Sequence, residues 1–261
     1  MSEIPTYSSI PVPPELSGYV SRILRLQHDA ASEISIPARP TGHVYLGWLA
    51  RGRATAYAND SAFSIEAGEG HVSGQLSVFD AHYTIHGPAL QFLAEFTPTG
   101  ACRLLKQDLG GRQNCCDVFE FPRINGGEDT AFLSYLVELA SAAAPPDLIM
   151  TAAVKRIDES RGDLSISALA RDLGLSERHF RREFLKSVGI APKPYAMIKK
   201  VLSSLQSLVE NPESELSDVA LESGFYDQAH LNKVFRLYLR TTPGNLRLDE
   251  DGVLKSIVAG A

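Results

Sequence analysis

The sequence predicts an α+β protein of two domains: a small β-barrel with helices, then an all-α domain of two helix-turn-helix units joined by a long helix. Three observations predict this: short apolar runs up to about residue 96, helical spacing from about Thr99, and a helix–turn–helix pattern that occurs twice after residue 146. A length of 261 residues is enough for two hydrophobic cores. The hydrophobic fraction of 44% and the charged fraction of 21% are those of a globular protein.

Residues from about 16 to 96 have the pattern of short β-strands. The runs are rich in β-branched and aromatic residues, and Gly, Pro, Asn and Asp separate them. They are His43–Gly52, Arg53–Asn59, Ala62–Gly70 and Ala89–Phe96. Several short strands with this punctuation favour a small barrel or a sandwich.

From about Thr99 the spacing of apolar residues becomes helical. Two helices are expected, in "TGACRLLKQDL" and in "GGEDTAFLSYLVELASAAA". The second has a broad apolar stripe, expected either to pack on the barrel or to form a dimer face, of Phe132, Leu133, Leu136, Val137, Leu139 and Ala140. In "AAAPPD" two prolines end this helix and Asp147 can cap the next. The expected domains are therefore residues 1–145 and 146–248, with a tail at 249–261.

The charge is divided between these parts. The net charge of −6 consists of −7 in residues 1–150, +3 in residues 151–248 and −2 in residues 249–261. A basic segment inside an acidic protein indicates an anionic partner for that segment. There is no apolar run of eighteen residues and no secretory signal at the start, so no membrane partner is expected. Three cysteines, an odd and sparse set, favour a cytoplasmic location.

The basic segment contains an internal repeat. Ala170 and Gly174 match Ala220 and Gly224, and the second copy then gains one residue, so that the later matches pair Phe180, Phe184 and Pro192 with Leu231, Phe235 and Pro243. Each glycine lies where a short helix must stop, because a left-handed turn is cheap for glycine. Two helix-turn-helix motifs are therefore predicted, at about 166–186 and 216–239.

Each repeat leaves one polar helix face. Apolar residues four apart share the buried side of the longer helix. The opposite side carries Glu177, Arg178, Arg181 and Arg182 in the first copy, and Gln228, Asn232, Lys233 and Arg236 in the second. Arginine and lysine bond guanine in the major groove, and amides bond adenine. The alternative is a pair of structural hairpins with solvated faces, but two copies in register favour DNA binding.

Residues 150–248 resemble the DNA-binding domain of the AraC/XylS family of transcription regulators. "LARDLGLSERHFRREF" with "GIAPKPY" resembles the first motif of the family, and "VALESGFYDQAHLNKVFR" with "TTPGNLR" resembles its more diagnostic second motif. The resemblance implies a linking helix, here about Pro192–Glu210, and a cupin-like N-terminal domain for sensing, dimerisation or both. Arg240 stands where the family usually has glycine, so that turn is expected to be either strained or different in conformation.

The resemblance also implies which residues meet DNA. Base contacts are expected from Arg178, Arg181 and Arg182 in the first unit and from Gln228, Asn232 and Lys233 in the second. Both capping and phosphate contact are expected at the helix starts, from Ser176, Asp227 and His230. For His230 the alternative to a phosphate contact is a bond within its own turn. For Arg236 a phosphate contact and a surface salt bridge are both open.

The expected function is an effector-responsive activator that binds a double-stranded operator. RNA polymerase is an expected partner, as are a small-molecule effector in residues 1–145 and a second copy in a homodimer. One alternative is a regulator without small-molecule control. Another is an enzyme with a helical targeting module, but no catalytic constellation, metal site or cofactor motif stands out in the sequence. His82 and His86 would lie about 13 Å apart on a strand, too far to chelate a metal alone. Six aromatic residues are candidates for a ligand cavity or for plain core: Tyr45, Trp48, Tyr57, Phe63, Phe79 and Tyr83.

Overall fold

The computed structural model describes residues 5–77 and 81–246, and contains a β-rich half followed by a helical half. Phe79 and the expected tail at 249–261 lie outside these ranges. The strands are β1 (Thr6–Ile10), β2 (Val20–His28), β3 (Glu33–Pro37), β4 (Tyr45–Arg51), β5 (Arg53–Ala58), β6 (Ser61–Glu66), β7 (Glu69–Ser73), β8 (Ala81–His86), β9 (Ala89–Phe96) and β10 (Cys116–Glu120). The helices are α1 (Gly100–Leu105), α2 (Glu128–Ser141), α3 (Leu148–Glu159), α4 (Ile166–Asp172), α5 (Glu177–Val188), α6 (Pro192–Glu210), α7 (Leu216–Glu222), α8 (Gln228–Leu239) and α9 (Pro243–Leu246).

The strands form two antiparallel sheets that face each other. The large sheet has six strands in the order β1-β2-β9-β4-β7-β10, and the small sheet has four in the order β3-β8-β5-β6. The predicted fold class, a β-rich domain followed by a helical one, is confirmed. The β-rich half is not a closed barrel, however, because the strand ladders between described residues leave each sheet with two edges. Of the barrel and the sandwich that the sequence favoured, the open sandwich is therefore the one observed.

One face of the large sheet packs against helix α2. Ile23, Leu46 and Phe92 are fully buried on this face and join one core with Phe132 and Leu136. β9 is buried along almost its whole length because it lies in the middle of the sheet and is covered on both sides. Of the two roles left open for the apolar stripe of α2, packing on the sheet is therefore the one observed.

Several strand boundaries differ from the sequence prediction. The run Ala62–Gly70 is two strands, β6 and β7, since Gly68 turns the chain with a φ of +89°. β1 lies before the predicted strand region, and β2 and β3 lie within it but were not identified as separate strands. β10 lies in the region where only helices were expected. β10 is held by pairing with β7, a strand far away in the sequence, so local propensity does not reveal it.

The helical half consists of two small cores on one long helix. α6 begins at Pro192, which suits a first helical turn, and ends at Glu210. Tyr195, Ile198 and Leu202 pack into the core of α3, α4 and α5. Val201, Leu205 and Leu208 pack into the core of α7 and α8. Because one helix serves both cores, it fixes the two units relative to each other.

A search for membrane spans found, over the described ranges, no helix of the length and apolar character needed to cross a bilayer.

Candidate nucleic-acid interface

The first helix-turn-helix unit is built by α4 and α5. Gly174 takes a φ of +73° after α4, and the N–H of Leu175 donates to the carbonyl of Ala170 at 2.9 Å. The Ser176 hydroxyl then accepts the N–H of His179 at 3.3 Å and caps α5. Phe180 and Phe184 are fully buried, so the opposite side of α5 faces outward.

The second unit repeats this construction with α7 and α8. Gly224 has a φ of +72°, and the Asp227 carboxylate accepts the N–H of His230 at 2.7 Å. Phe225 is buried at the corner between the helices. Lys200 of α6 donates to the Gly224 carbonyl at 2.8 Å, which ties the turn to the linking helix. The expected strain is present at the end of α8, where Arg240 has a φ of +55°.

The outward face of α5 carries three exposed arginines, two of which lack a partner. Arg178 and Arg181 form no hydrogen bond or ion pair with any described residue. Arg182 is instead held on its own helix, donating to the Glu183 carboxylate at 2.9 Å and to Nδ1 of His179 at 2.7 Å. The two unpartnered guanidinium groups are free to meet an anion, whereas Arg182 must first leave its local contacts.

The outward face of α8 carries amides and bases. Gln228, Lys233 and Arg236 are exposed and Asn232 is half-buried, and within the described ranges none of them has an ion pair or a hydrogen-bond partner. The salt bridge considered for Arg236 is therefore not formed to a described residue. His230 makes the local bond: its Nδ1 accepts the N–H of Tyr226 at 3.4 Å, and its ring lies edge-on to Phe225 at 5.4 Å.

Sequence reasoning missed one residue of this surface, Tyr226. Its side chain is 86% exposed and directly precedes the cap of α8. Tyrosine side chains are enriched at binding interfaces, because one end of the side chain is apolar and the other is polar. The signal in the sequence was an aromatic residue between the corner residue Phe225 and the capping residue Asp227. A cleft of about 470 Å³ lies beside the first unit, between α4, α5 and the start of α6, and includes Arg181, Lys193 and Lys200.

The interior of the sandwich is a second candidate site. Register places Gly47, His71 and Leu93 in one row on the inner face of the large sheet. Tyr83 of the small sheet lies across from this row, with its ring centroid 6.3 Å from that of His71. Nδ1 of His71 and the Tyr83 hydroxyl are buried without a hydrogen-bond partner among the described residues.

The aromatic candidates for a ligand cavity divide between several surfaces. Tyr83 and Phe63 pack in the sandwich interior, and Tyr45 lies at one end of it, bonded to Glu95 at 2.9 Å. Trp48 is on the other face of the large sheet, stacked on Phe121 at 4.4 Å. Tyr57 stacks on His82 at 4.4 Å. Trp48 and Tyr57 therefore do not line the sandwich interior.

The histidines considered as metal ligands have other partners. The His86 ring is hydrogen-bonded to the Thr55 hydroxyl and, through Nδ1, to the Glu33 carboxylate at 2.6 Å, while His82 lies against Tyr57. A search for clusters of three or more metal-binding side chains found none in the part of the chain that the structure describes.

The two halves meet at the C-terminal end of α5. The Gln75 amide donates to the Val188 carbonyl at 3.0 Å and to the Gly42 carbonyl at 2.8 Å. The N–H of Leu109 donates to the Lys186 carbonyl at 3.0 Å. The last carbonyls of a helix have no partner within it, so the N-terminal half supplies donors that the helix lacks. Gln75 itself is 1% exposed.

Comparison with known proteins bears on the helical half. Residues 169–249 match the family profile described as "Helix-turn-helix domain". The HTH-type transcriptional activator RhaS of Escherichia coli (strain K12 / DH10B) is 26% identical over 98 residues, which cover 38% of this chain and 35% of that protein. RhaS of strain SE11 matches to the same extent. The match thus spans about a third of the length of these curated relatives.

Solved structures give a looser likeness. ToxT from Vibrio cholerae O395 covers 90% of this chain and 99% of its own, with 12% identity and a TM-score of 0.49. An AraC-type DNA-binding regulator from Chromobacterium violaceum covers 40% of this chain and 95% of its own, with 23% identity and a TM-score of 0.36. No functional conclusion follows from superpositions at this level.

Proposed function

Because the helix-turn-helix domain of this chain belongs to the AraC/XylS family of transcription regulators, we propose that the chain is a sequence-specific DNA-binding regulator. The observation that carries the proposal is the pair of outward polar faces, on α5 and α8, capped alike and attached to one linking helix. Two such helices read successive major grooves on one side of a duplex, roughly 34 Å apart. The related proteins are transcription regulators, which argues against the enzyme alternative.

The residues divide into two roles in this proposal. Base contacts come from hydrogen-bond donors on the outward faces: Arg178, Arg181, Arg182, Gln228, Asn232 and Lys233. Phosphate contacts come from Arg236 and from the helix starts at Ser176, Asp227 and His230, where free N–H groups and the helix dipole favour an anion. Arg181 is the stronger candidate for guanine than Arg182, because Arg182 must give up its bonds to Glu183 and His179 first.

The test starts from duplexes selected by the full chain from a random library, followed by affinity measurements over a salt series. Arg181→Ala and Lys233→Ala are each expected to weaken binding to the selected duplex by about 1–3 kcal/mol and to relax the preference at a few positions. The control is Arg53→Ala, which removes an exposed arginine on the small sheet. A uniform loss on all duplexes would make these two residues phosphate contacts, and no loss would refute the proposed interface.

The N-terminal half is proposed to sense an effector within the sandwich, in a cytoplasmic activator that works with RNA polymerase and as a homodimer. The buried polar atoms of His71 and Tyr83 support a binding role for the interior. The stripe of α2 is occupied by the large sheet, so a dimer contact would use another surface. Sedimentation of the full chain with and without its selected duplex tests the dimer. A ligand that binds the chain but leaves the affinity for that duplex unchanged would contradict the sensing role.

A further inference from the structure

We infer that the sandwich interior takes an uncharged ligand with an apolar body and a hydrogen-bond acceptor, held by the Tyr83 hydroxyl and the His71 imidazole. This inference rests on the proposed sensing role and adds the chemical class of the effector. It is carried by two buried polar atoms without a hydrogen-bond partner among the described residues, Nδ1 of His71 and the hydroxyl of Tyr83, on rings whose centroids lie 6.3 Å apart across the sandwich. The Gln91 side chain lies beside both residues. Polar groups left unpaired in a core cost roughly 1–3 kcal/mol each, so they are rare without a purpose.

The absence of a side chain at Gly47 makes room for the His71 imidazole on the large sheet. A Cβ atom built on Gly47 would lie 2.1 Å from Cε1 of His71, so the imidazole occupies the place of the missing side chain. Any other residue at position 47 would displace the ring. Gly47 is paired with both His71 and Leu93, so the imidazole lies between the backbone of Gly47 and the small sheet.

The surface next to this pair is apolar and only partly buried. Leu24 and Leu93 share the inner face of the large sheet, and Phe63 packs in the same interior from the small sheet. All three are only half-buried although they point into the sandwich. Val118, which is paired with His71 on β10, is 37% exposed. Apolar walls of this kind suit an apolar ligand body.

The polar pair is neutral. Burial lowers the pKa of His71 to about 4, and burial also raises the pKa of Tyr83 above its ordinary value. At neutral pH the pair thus offers a hydroxyl and an uncharged imidazole, neither of which can balance a charged ligand group. An unbalanced charge in such a place would be costly. Glu95, an acidic residue on the inner face, is already paired with Arg22 at 2.8 Å.

The geometry also sets the direction of the hydrogen bonds. The Gln91 amide nitrogen lies 3.4 Å from Nε2 of His71. If that amide donates, Nε2 accepts and the proton of the neutral ring is on Nδ1, which then points a donor at the interior. The phenol of Tyr83 is a second donor. Two neighbouring donors suit a carbonyl or another acceptor, as in a ketone, an amide or a lactone.

The experiment uses the full chain and a matched pair of fluorescent probes. One is 6-propionyl-2-(dimethylamino)naphthalene, an uncharged ketone, and the other is the carboxylate 6-(dimethylamino)naphthalene-2-carboxylate. Titration should show binding of the ketone and much weaker binding of the carboxylate. Tyr83→Phe should reduce the affinity for the ketone about fivefold to tenfold, the effect of one lost hydrogen bond. The control is Tyr57→Phe, which removes the hydroxyl from a ring that stacks on His82. This change should leave the affinity for the ketone unchanged.

Three results would overturn the inference: no binding of the ketone, equal binding of the carboxylate, or equal affinity of the wild type and Tyr83→Phe. Binding to the selected duplex is measured separately. A chain that binds the ketone as described but has no preference among duplexes would refute the proposed function and leave this inference intact.

Discussion

Gln75→Leu is expected to uncouple the two halves of the molecule. The Gln75 amide nitrogen donates two hydrogen bonds, one to each half, at Gly42 and Val188. Leucine fills a similar volume but leaves both carbonyls without this donor, and each buried loss costs about 1–2 kcal/mol. The other amide atom, Oε1, is already buried without a partner, so its removal returns about 1 kcal/mol. The expected net loss is therefore about 1–3 kcal/mol, localised at the contact between the halves.

Urea denaturation with two signals measures this loss. The single tryptophan, Trp48, lies on β4 and reports on the N-terminal half, while the helical signal in circular dichroism comes mostly from the other half. In the wild type the two transitions should lie close together, and in Gln75→Leu they should separate. The control is Gln206→Leu, which removes an exposed glutamine bonded to Glu210 on the same helix. Coincident transitions with an unchanged midpoint in Gln75→Leu would refute the reasoning.

Three further predictions follow from single features of the structure. Arg240→Gly should stabilise the chain by about 1 kcal/mol in the same denaturation assay, because the φ of +55° is cheap for glycine and costly for arginine; a loss of stability would contradict this. His71 has a folded pKa of about 4 and an unfolded pKa near about 6.5, so its neutral form stabilises the fold above pH ~6.5, and up to about 3 kcal/mol is lost as the pH falls to about 4. His71→Gln should flatten this part of the stability profile, and an unchanged slope would mean that other groups cause it. Binding of the uncharged ketone should change hydrogen exchange in the last turn of α5 more than in α8, and equal changes in the two helices would argue against a path through Gln75.

The helical half was largely predictable because its rules are local. Gly174 and Gly224 were assigned to left-handed turns, and both have φ values near +72°. Ser176 and Asp227 were expected to cap their helices, and both side chains accept the bonds of an N-cap. Each prediction needs only a residue type and its spacing from a neighbouring helix. The strain at Arg240 was predicted by the same reasoning.

The β-rich half was predicted less well because its structure depends on distant partners. β10 is a strand since it pairs with β7, about forty-five residues earlier in the chain. The pairing of Gly47 with His71, and the approach of Tyr83 from the other sheet, are set by register, which one sequence does not give. The sequence therefore could not distinguish Trp48 from Tyr83 as a residue of a ligand cavity, although the two lie on opposite sides of the large sheet.

The candidate ligand site and the first helix-turn-helix unit are joined by a short stretch of chain. His71 is on β7, which ends at Ser73, and Gln75 follows two residues later. The same loop is fixed to the chain before β10, because the Asn114 N–H donates to the Gln75 carbonyl at 3.0 Å. A ligand that displaces the His71 ring acts on β7 and β10 together, and both strands lead to groups that donate to the end of α5. Since the hydrogen bonds between described residues of the two halves end on α5, control of DNA reading is expected to act on the first unit, with the second following through α6.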